Sequence, residues 1–426
     1  MSELTITPTK LKGKIVLPPS KSLAHRAIIC ASLADGVSRI DNIEYSDDIK
    51  ATISCMKALG TMIEEHGDYV VVDGSTTFAT SKCEMDCNES GSTLRFMVPI
   101  ALVRQNNVHF IGQGRLGQRP LDTYYEIFER QNIEYMYREG ALDLYAMGQL
   151  KADVFEIPGD ISSQFISGLM FALPLLPGDS TIKVSGVLES KGYIDLTLDM
   201  LSDFGIEIEN NDYQSFTIKG NQKYRPCNKR VEADFSQAAF YLVASALGSD
   251  LIIQDLNLNS SQGDKMVLDY LLEMGCELQK LEDGIKLTAN GLRAIEVDAS
   301  QCPDVIPVLS VALGMAKGTS NVTNAKRLRI KECDRIDATV DLLETLGGKV
   351  TSDESSMTIT GVDHYTSGAC RTYDDHRLAM SIGIIATVCQ GPVHLDNKEC
   401  VGKSYPKFWD DYTMLGGIID ARNMEK

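Results

Sequence analysis

The run SLAHRAIICASLADGVSRIDNI (22–43) reads as a helix, a glycine turn at Gly36 and a β-prone strand. Beyond its first turn the helix is apolar nearly all round, and a helix of that kind is buried. Working outward, a glycine or polar turn before a β-prone run recurs at Gly36, Asn107, Gly178, Gly248, Gly318 and Gly391, at gaps of 71, 71, 70, 70 and 73 residues. A fixed period of this size marks a repeat architecture. A second series, Gly60, Asn132, Gly205, Gly275, Gly347 and Gly416, falls where a second helix of each repeat stops, at gaps of 72, 73, 70, 72 and 69. Glycine, or asparagine in its place, is the usual residue just past a helix end.

The buried helix itself recurs, opening at or near Ser22, Ser92, Ser163, Ser236, Asp304 and Asp375. By contrast DDIKATISCMKALG (47–60), LDTYYEIFERQN (121–132) and DKMVLDYLLEMG (264–275) carry a polar face and belong outside or half-exposed. Each repeat therefore reads strand, buried helix, strand, loop, amphipathic helix, strand. Six buried helices are too many for one core, and a chain of 426 residues suits two domains. The expected fold is α/β: a two-domain inside-out arrangement of six repeated β/α units, three per domain, with buried helices and outer sheets. The break falls near YRPCNKRVEAD (224–234).

Composition narrows the function. A net charge of −18 and a pI near 4.8 disfavour a general nucleic-acid binder. The first residues carry no apolar core of a signal peptide, and the longest nearly apolar stretch, Leu378 to Cys389, is too short to span a bilayer. Eleven scattered cysteines with no C-x-x-C pair fit reduced thiols in a cytoplasmic protein. The six histidines form no metal motif, so no bound metal is expected. Neither a G-x-x-x-x-G-K-[ST] loop nor a G-x-G-x-x-G turn occurs, so ATP and NAD are not suggested.

Helix N-termini attract anions, and here several carry cations as well. Lys21 and Ser22 open the first buried helix, with Arg26 one turn on; Gly91 and Ser92 open the second, with Arg95. Ser162, Ser163 and Gln164 open the third, and Asp375, His376 and Arg377 the sixth. An arginine in a first turn stands where the helix dipole disfavours it, which implies an anion nearby. The loops GQGRLGQRPLD (112–122), AKRLRIKECDR (325–335) and ECVGKSYPKFW (399–409) add Arg115, Arg119, Lys326, Arg327, Arg329, Lys331, Arg335 and Lys403. Such a set suits more than one phosphate or carboxylate. Asp304, Glu332 and Asp375 lie among these cations and suit general acid/base work. The residues alone indicate an acid/base transferase or lyase acting on small anions.

On these residues the chain resembles the enolpyruvyl transferase family from end to end. The carriers are LPPSKSLAHRA (17–27), ESGSTLRF (89–96), GQRPLD (117–122), SSQF (162–165), SKGYIDLT (190–197), Pro303–Asp304, RIKECDR (329–335), DDHRLAM (374–380) and GKSYPKFW (402–409). The resemblance implies transfer of the enolpyruvyl group of phosphoenolpyruvate to the 5-hydroxyl of shikimate 3-phosphate with release of phosphate, a shikimate-pathway step toward aromatic amino acids. It implies no cofactor, no membrane or nucleic-acid partner, and a monomer. Lys21, Asp304 and Glu332 become the catalytic groups, with Asp304 the proton acceptor and Glu332 the donor to C3. Shikimate 3-phosphate falls to Lys21, Ser22, Arg26, Ser162, Ser163, Gln164, Ser190, Asp304, Arg327 and Lys331. Phosphoenolpyruvate falls to Lys21, Gly91, Arg119, Gln164, Arg335, Arg377 and Lys403. Tyr193 lines the shikimate side, and Arg95, Asp375 and His376 support the set.

The implied domains are 1–19 with 234–426, carrying Asp304, Lys331, Arg377 and Lys403, and 20–233, carrying Lys21, Arg26, Arg119 and Gln164, with the site in the cleft between them. Two departures stand out: Glu89 and Arg327 occupy positions where the family commonly has asparagine. Two alternatives are a sister transferase acting on UDP-N-acetylglucosamine and a non-catalytic polyanion-binding repeat protein. Against the first, GQGRLGQRP lacks the cysteine that enzyme typically carries in this loop; against the second, simple anion capture needs neither Asp304 nor Glu332.

Overall fold

In the computed structural model, residues 2–80, 82–104 and 106–423 are described. The chain divides into two units, Pro19–Glu232 and Met1–Pro18 with Ala233–Lys426. Each has its own hydrophobic core. The Pro19–Glu232 unit holds helices α1 (Lys21–Leu33), α2 (Asp47–Ala58), α3 (Gly91–Ala101), α4 (Asp122–Gln131), α5 (Ser163–Ala172) and α6 (Lys191–Asp203). The other holds α7 (Phe235–Ala246), α8 (Met266–Glu273), α9 (Ile306–Leu313), α10 (Arg335–Thr345), α11 (His376–Ala386) and α12 (Phe408–Met414).

The odd-numbered helices fill the cores, as their all-round apolar sequences require. Every residue of α7, α9 and α11 is buried. The even-numbered helices keep a solvated face; in α4 only Thr123, Tyr124, Ile127, Phe128 and Gln131 are buried, a stripe at helical spacing. Each repeat adds one four-stranded sheet, and six such sheets form among the described residues. In the second repeat, Lys82–Asp86 runs parallel to Asn106–Ile111, which pairs antiparallel with Asp143–Gly148 and through it with Glu134–Tyr137. The parallel pair flanks a buried helix, as a crossover requires. The last element of the repeat is thus a hairpin of two strands, where the sequence suggested one.

Two exchanges tie the repeats across the chain. Lys12–Val16 precedes α1 yet pairs with Asp250–Gln254 beyond α7, while Lys229–Arg230 precedes α7 yet pairs with Val37–Asp41 beyond α1. The sixth sheet takes its remaining strand from the chain's start, Ser2–Thr7, which pairs with Ile418–Asn423. The second glycine series ends the even-numbered helices in the left-handed region, with Asn132 at φ 55° standing in where the others are glycine.

The buried helices start slightly earlier than their sequences suggested. Ser20, Ser90 and Asp234, two residues before Ser22, Ser92 and Ser236, are the capping residues whose side chains accept the first free backbone N–H groups. Ser162 caps α5, and Asp375 caps α11. At Asp304 a 3-10 turn, Pro303–Val305, leads into α9. The capped starts leave Lys21, Ser22, Gly91, Ser92, Ser163 and Arg377 in or beside first turns, where amide N–H groups remain unspent.

Candidate active site

Each unit carries its own set of polar side chains at these helix starts. In the Ala233–Lys426 part, Arg335 at the start of α10 is the organising cation, only 1% exposed. Its Nε donates to Asp375 Oδ2 at 2.7 Å, its Nη1 to Asp304 Oδ1 at 2.8 Å and its Nη2 to Glu332 Oε2 at 2.8 Å. A buried guanidinium needs such partners, and these carboxylates raise its pKa well above normal although burial alone would lower it. Lys331 Nζ donates to Asp304 Oδ1 at 3.1 Å, and Lys403 Nζ lies 3.9 Å from Glu332 Oε1. Asp375 also accepts from Cys333 Sγ at 3.4 Å while capping α11 through the Arg377 amide.

Asp304 therefore sits among cations. Burial alone would raise its carboxyl, but Lys331, Arg335 and Arg377 together hold it well below the usual carboxylate range. Burial pulls Lys331 down, with Asp304 opposing and Arg327 adding to the fall. Arg327 is thus close enough to be felt at Lys331, and it is itself buried. Arg377 is 3% exposed. Its Nη1 donates to the Ser236 carbonyl at 3.1 Å and its Nη2 lies 3.7 Å from Asp304 Oδ2, while its buried Nε has no acceptor among the described residues. A guanidinium so placed retains donors for a carboxylate or phosphate.

In the Pro19–Glu232 unit, Lys21 Nζ donates to Asp48 Oδ2 at 2.8 Å, with both side chains largely buried. Arg26 is drawn inward: Nε donates to Thr197 Oγ1 at 2.8 Å, Nη1 to the Ser22 carbonyl at 2.7 Å and Nη2 to the Tyr193 carbonyl at 3.0 Å. Burial lowers its pKa to about 10. Arg26 thereby ties α1 to α6, the helix that starts behind Ser190. Ser190 itself takes φ 56°, a left-handed conformation rare for serine and of the kind concentrated at functional sites.

Gln164 is held from three sides. Its Nε2 donates to Ser92 Oγ at 2.8 Å, its Oε1 accepts from Arg95 Nη1 at 3.0 Å, and its backbone N–H reaches Ser162 Oγ at 3.3 Å. Arg95 also donates to the Pro120 carbonyl at 3.0 Å, which anchors the loop carrying Arg119. The guanidinium of Arg119 lies against Gly91: a Cβ on that glycine would be 2.6 Å from Nη1. Lys21, Ser22, Arg26, Gly91, Arg119, Ser162, Ser163, Gln164 and Ser190 thus all belong to one unit. Asp304, Arg327, Lys331, Glu332, Arg335, Arg377 and Lys403 belong to the other.

Some partners escaped sequence reading. Asp48 lies in a segment whose polar spacing looked like a solvated face, yet it is 4% exposed and paired with Lys21. Asp264, 3% exposed, accepts from Ser236 Oγ, and burial together with the nearby Asp304 raises its pKa to about 6. An acid directly after glycine in SSQGDK (260–265) offered no signal that set it apart from a turn. Among the described residues no group of three or more His, Cys, Asp or Glu side chains is placed to hold a metal ion.

The family described as EPSP synthase (3-phosphoshikimate 1-carboxyvinyltransferase) matches residues 6–412. A 3-phosphoshikimate 1-carboxyvinyltransferase of Clostridium beijerinckii is 50% identical over 433 residues, covering 100% of both chains. One of Clostridium perfringens is 51% identical over 421 residues, covering 98% of this chain and 99% of its own. Among solved structures, an EPSP synthase from Acinetobacter baumannii superposes with a TM-score of 0.83 at 23% identity, over 99% of this chain and 100% of that one. The enolpyruvyl transferase NikO from Streptomyces tendae gives 0.81 at 18%, over 100% and 99%. At those identities the structural likeness speaks to the fold.

Proposed function

The chain belongs to the EPSP synthase family, and on that premise we propose how its residues divide the work. The reaction is transfer of the enolpyruvyl group of phosphoenolpyruvate to the 5-hydroxyl of shikimate 3-phosphate, with release of phosphate. It is a step of the shikimate pathway. In the addition, the 5-hydroxyl oxygen bonds to C2 of the enol, C3 gains a proton and the hydroxyl loses one. In the elimination, the C2–O bond to phosphate breaks and a proton leaves C3.

The observation that carries the assignment is the state of Arg335 and Arg377. Both are buried cations among carboxylates, and Arg377 has a buried Nε with no acceptor among the described residues. Arg377, Lys403 and Arg335, with Arg119 beside Gly91 and with Lys21 and Gln164, hold phosphoenolpyruvate. The serine-rich starts Ser162–Ser163 and Ser190, with Ser22, Arg26, Lys21, Gln164, Lys331 and Arg327, hold shikimate 3-phosphate. Asp304 contacts its ring hydroxyls. The cations around Asp304 keep it ionised at neutral pH, which suits a proton acceptor. Glu332, hydrogen-bonded to Arg335 and near Lys403, supplies the proton to C3.

One chain carries both sets of residues, which supports a monomer as the working species, and its eleven free thiols fit a cytoplasmic setting. The direct test is a two-substrate assay that follows phosphate release. Release that requires both phosphoenolpyruvate and shikimate 3-phosphate is expected. Release with UDP-N-acetylglucosamine in place of shikimate 3-phosphate, or none with either acceptor, would overturn the assignment.

A further inference from the structure

His25 lies on α1 one residue before Arg26 and is fully buried. Its Nδ1 is 2.7 Å from Thr52 Oγ1, and Thr52 Oγ1 is 2.7 Å from Thr93 Oγ1. Thr93 is the far end of the sequence of bonds that fixes every proton. Its hydroxyl donates to Ser90 Oγ at 2.8 Å or to the Asp48 carbonyl at 3.4 Å. A hydroxyl has one proton to give; with it spent on either of these acceptors, Thr93 accepts from Thr52, a contact in which either oxygen could be the donor. Thr52 has then spent its own proton and must accept from His25. This proton assignment makes the imidazole the Nδ1–H tautomer, with a one-way chain from His25 to Thr52 to Thr93 to Ser90.

The ring leaves its other nitrogen unserved: Nε2 is buried with no partner among the described residues. Burial pushes the imidazole pKa down to about 3; Asp48 opposes this and Lys21 and Arg26 add to it, so the ring stays neutral. An apolar residue would avoid the orphaned nitrogen, so shape alone does not account for a histidine here. The chain joins the starts of three helices. α1 carries Lys21, α2 carries Asp48, and α3 follows its cap Ser90 directly with Gly91. Ser90 Oγ also accepts the Thr93 backbone N–H at 3.2 Å, the bond that sets the first turn of α3.

We propose that His25 is a positioning residue which, through Thr52, Thr93 and Ser90, fixes the Gly91–Ser92 turn on which phosphoenolpyruvate is held. This rests on the functional reading above for the identity of the ligand. The donor chain predicts a selective effect: Gly91 and Ser92 lie at its end, whereas Ser162, Ser163 and Ser190 lie on other elements.

The test compares His25→Leu, His25→Asn and Thr52→Val in the full chain, with steady-state KM for each substrate and nitrogen-15 NMR of the imidazole. Loss of one interior hydrogen bond corresponds to roughly a tenfold change. His25→Leu and Thr52→Val are expected to raise KM for phosphoenolpyruvate by about that factor, with KM for shikimate 3-phosphate within about twofold. His25→Asn places an amide N–H near the Nδ1–H position and is expected to recover most of the loss. The NMR spectrum of the wild type is expected to show Nδ1 protonated and Nε2 bare. An Nε2–H tautomer, equal rises in both KM values, or a His25→Asn no better than His25→Leu would each overturn the proposal. If His25→Leu does not fold, Thr52→Val and the tautomer decide. Wild-type turnover is measured alongside: its absence overturns the functional reading, while the tautomer is read without any substrate.

Discussion

Replacing Gly91 by alanine should separate substrate affinity from stability. The added methyl would lie 2.6 Å from Arg119 Nη1, 2.8 Å from Cζ and 2.9 Å from Nη2. Those separations are too short to persist, so something must move. The three nearest atoms all belong to the end of one long side chain, and none is backbone. The guanidinium therefore swings away while the fold stays. A charge-assisted hydrogen bond is worth about 1.5–3 kcal/mol, so its loss should raise KM for phosphoenolpyruvate roughly ten- to hundredfold. Gly91 has no left-handed φ, and alanine reduces the freedom of the unfolded chain, so stability should hold or rise by up to ~1 kcal/mol. Steady-state kinetics in each substrate and a thermal melt give both readings. An unchanged KM for phosphoenolpyruvate, or a fall in stability of more than about 1 kcal/mol, would refute the argument.

Asp304→Asn and Glu332→Gln should each lower kcat by about 10²-fold or more, read as single-turnover rates at saturating substrates. Arg377→Ala should weaken phosphoenolpyruvate more than shikimate 3-phosphate and Arg26→Ala the reverse, measured by calorimetric titration of each ligand. Asp264 should make stability fall as pH rises. Its native pKa, about 6, lies above the unfolded value near 3.8, so the native state keeps a proton that the unfolded state releases between those pH values. Asp264→Asn should remove a decline of up to about 3 kcal/mol between pH 4 and 7, followed by urea unfolding across that range.

The repeat was legible because it is written in backbone needs. A left-handed cap accepts glycine or asparagine, and a buried helix accepts few polar residues, so a period near 71 residues survives in plain sight. The hairpin ending each of the first five repeats was not, since segments such as IENN (208–211) and SFTI (215–218) are four residues long, too short to show an alternation. The caps at Ser20 and Ser90 were masked by a second serine two positions on, equally suited by type. In the site, cations announced themselves by standing against the helix dipole. Their buried partners did not. Asp48 sits beside Asp47 in a run that looks solvated, and only the packing of α2 against α1 turns one of the two inward to Lys21.

That asymmetry follows from what the site must do. Two anionic substrates call for many cations, and cations crowded in a low-dielectric interior repel one another. The carboxylates that relieve this repulsion are drawn from wherever the fold brings them: Asp375 from a helix cap, Glu332 from the turn before α10, Asp304 from a 3-10 turn, Asp48 from α2. Under the assignment proposed above, two of them, Asp304 and Glu332, take the proton-acceptor and proton-donor tasks. Asp304 has three cations around it and stays ionised. Glu332 shares Arg335 with Asp304 and Asp375 and lies 3.9 Å from Lys403. On that assignment charge neutralisation and proton transfer fall to the same side chains, so any substitution that removes a carboxylate is also expected to strengthen the positive field on the substrates. A loss of turnover without a loss of binding is the signature this coupling leaves.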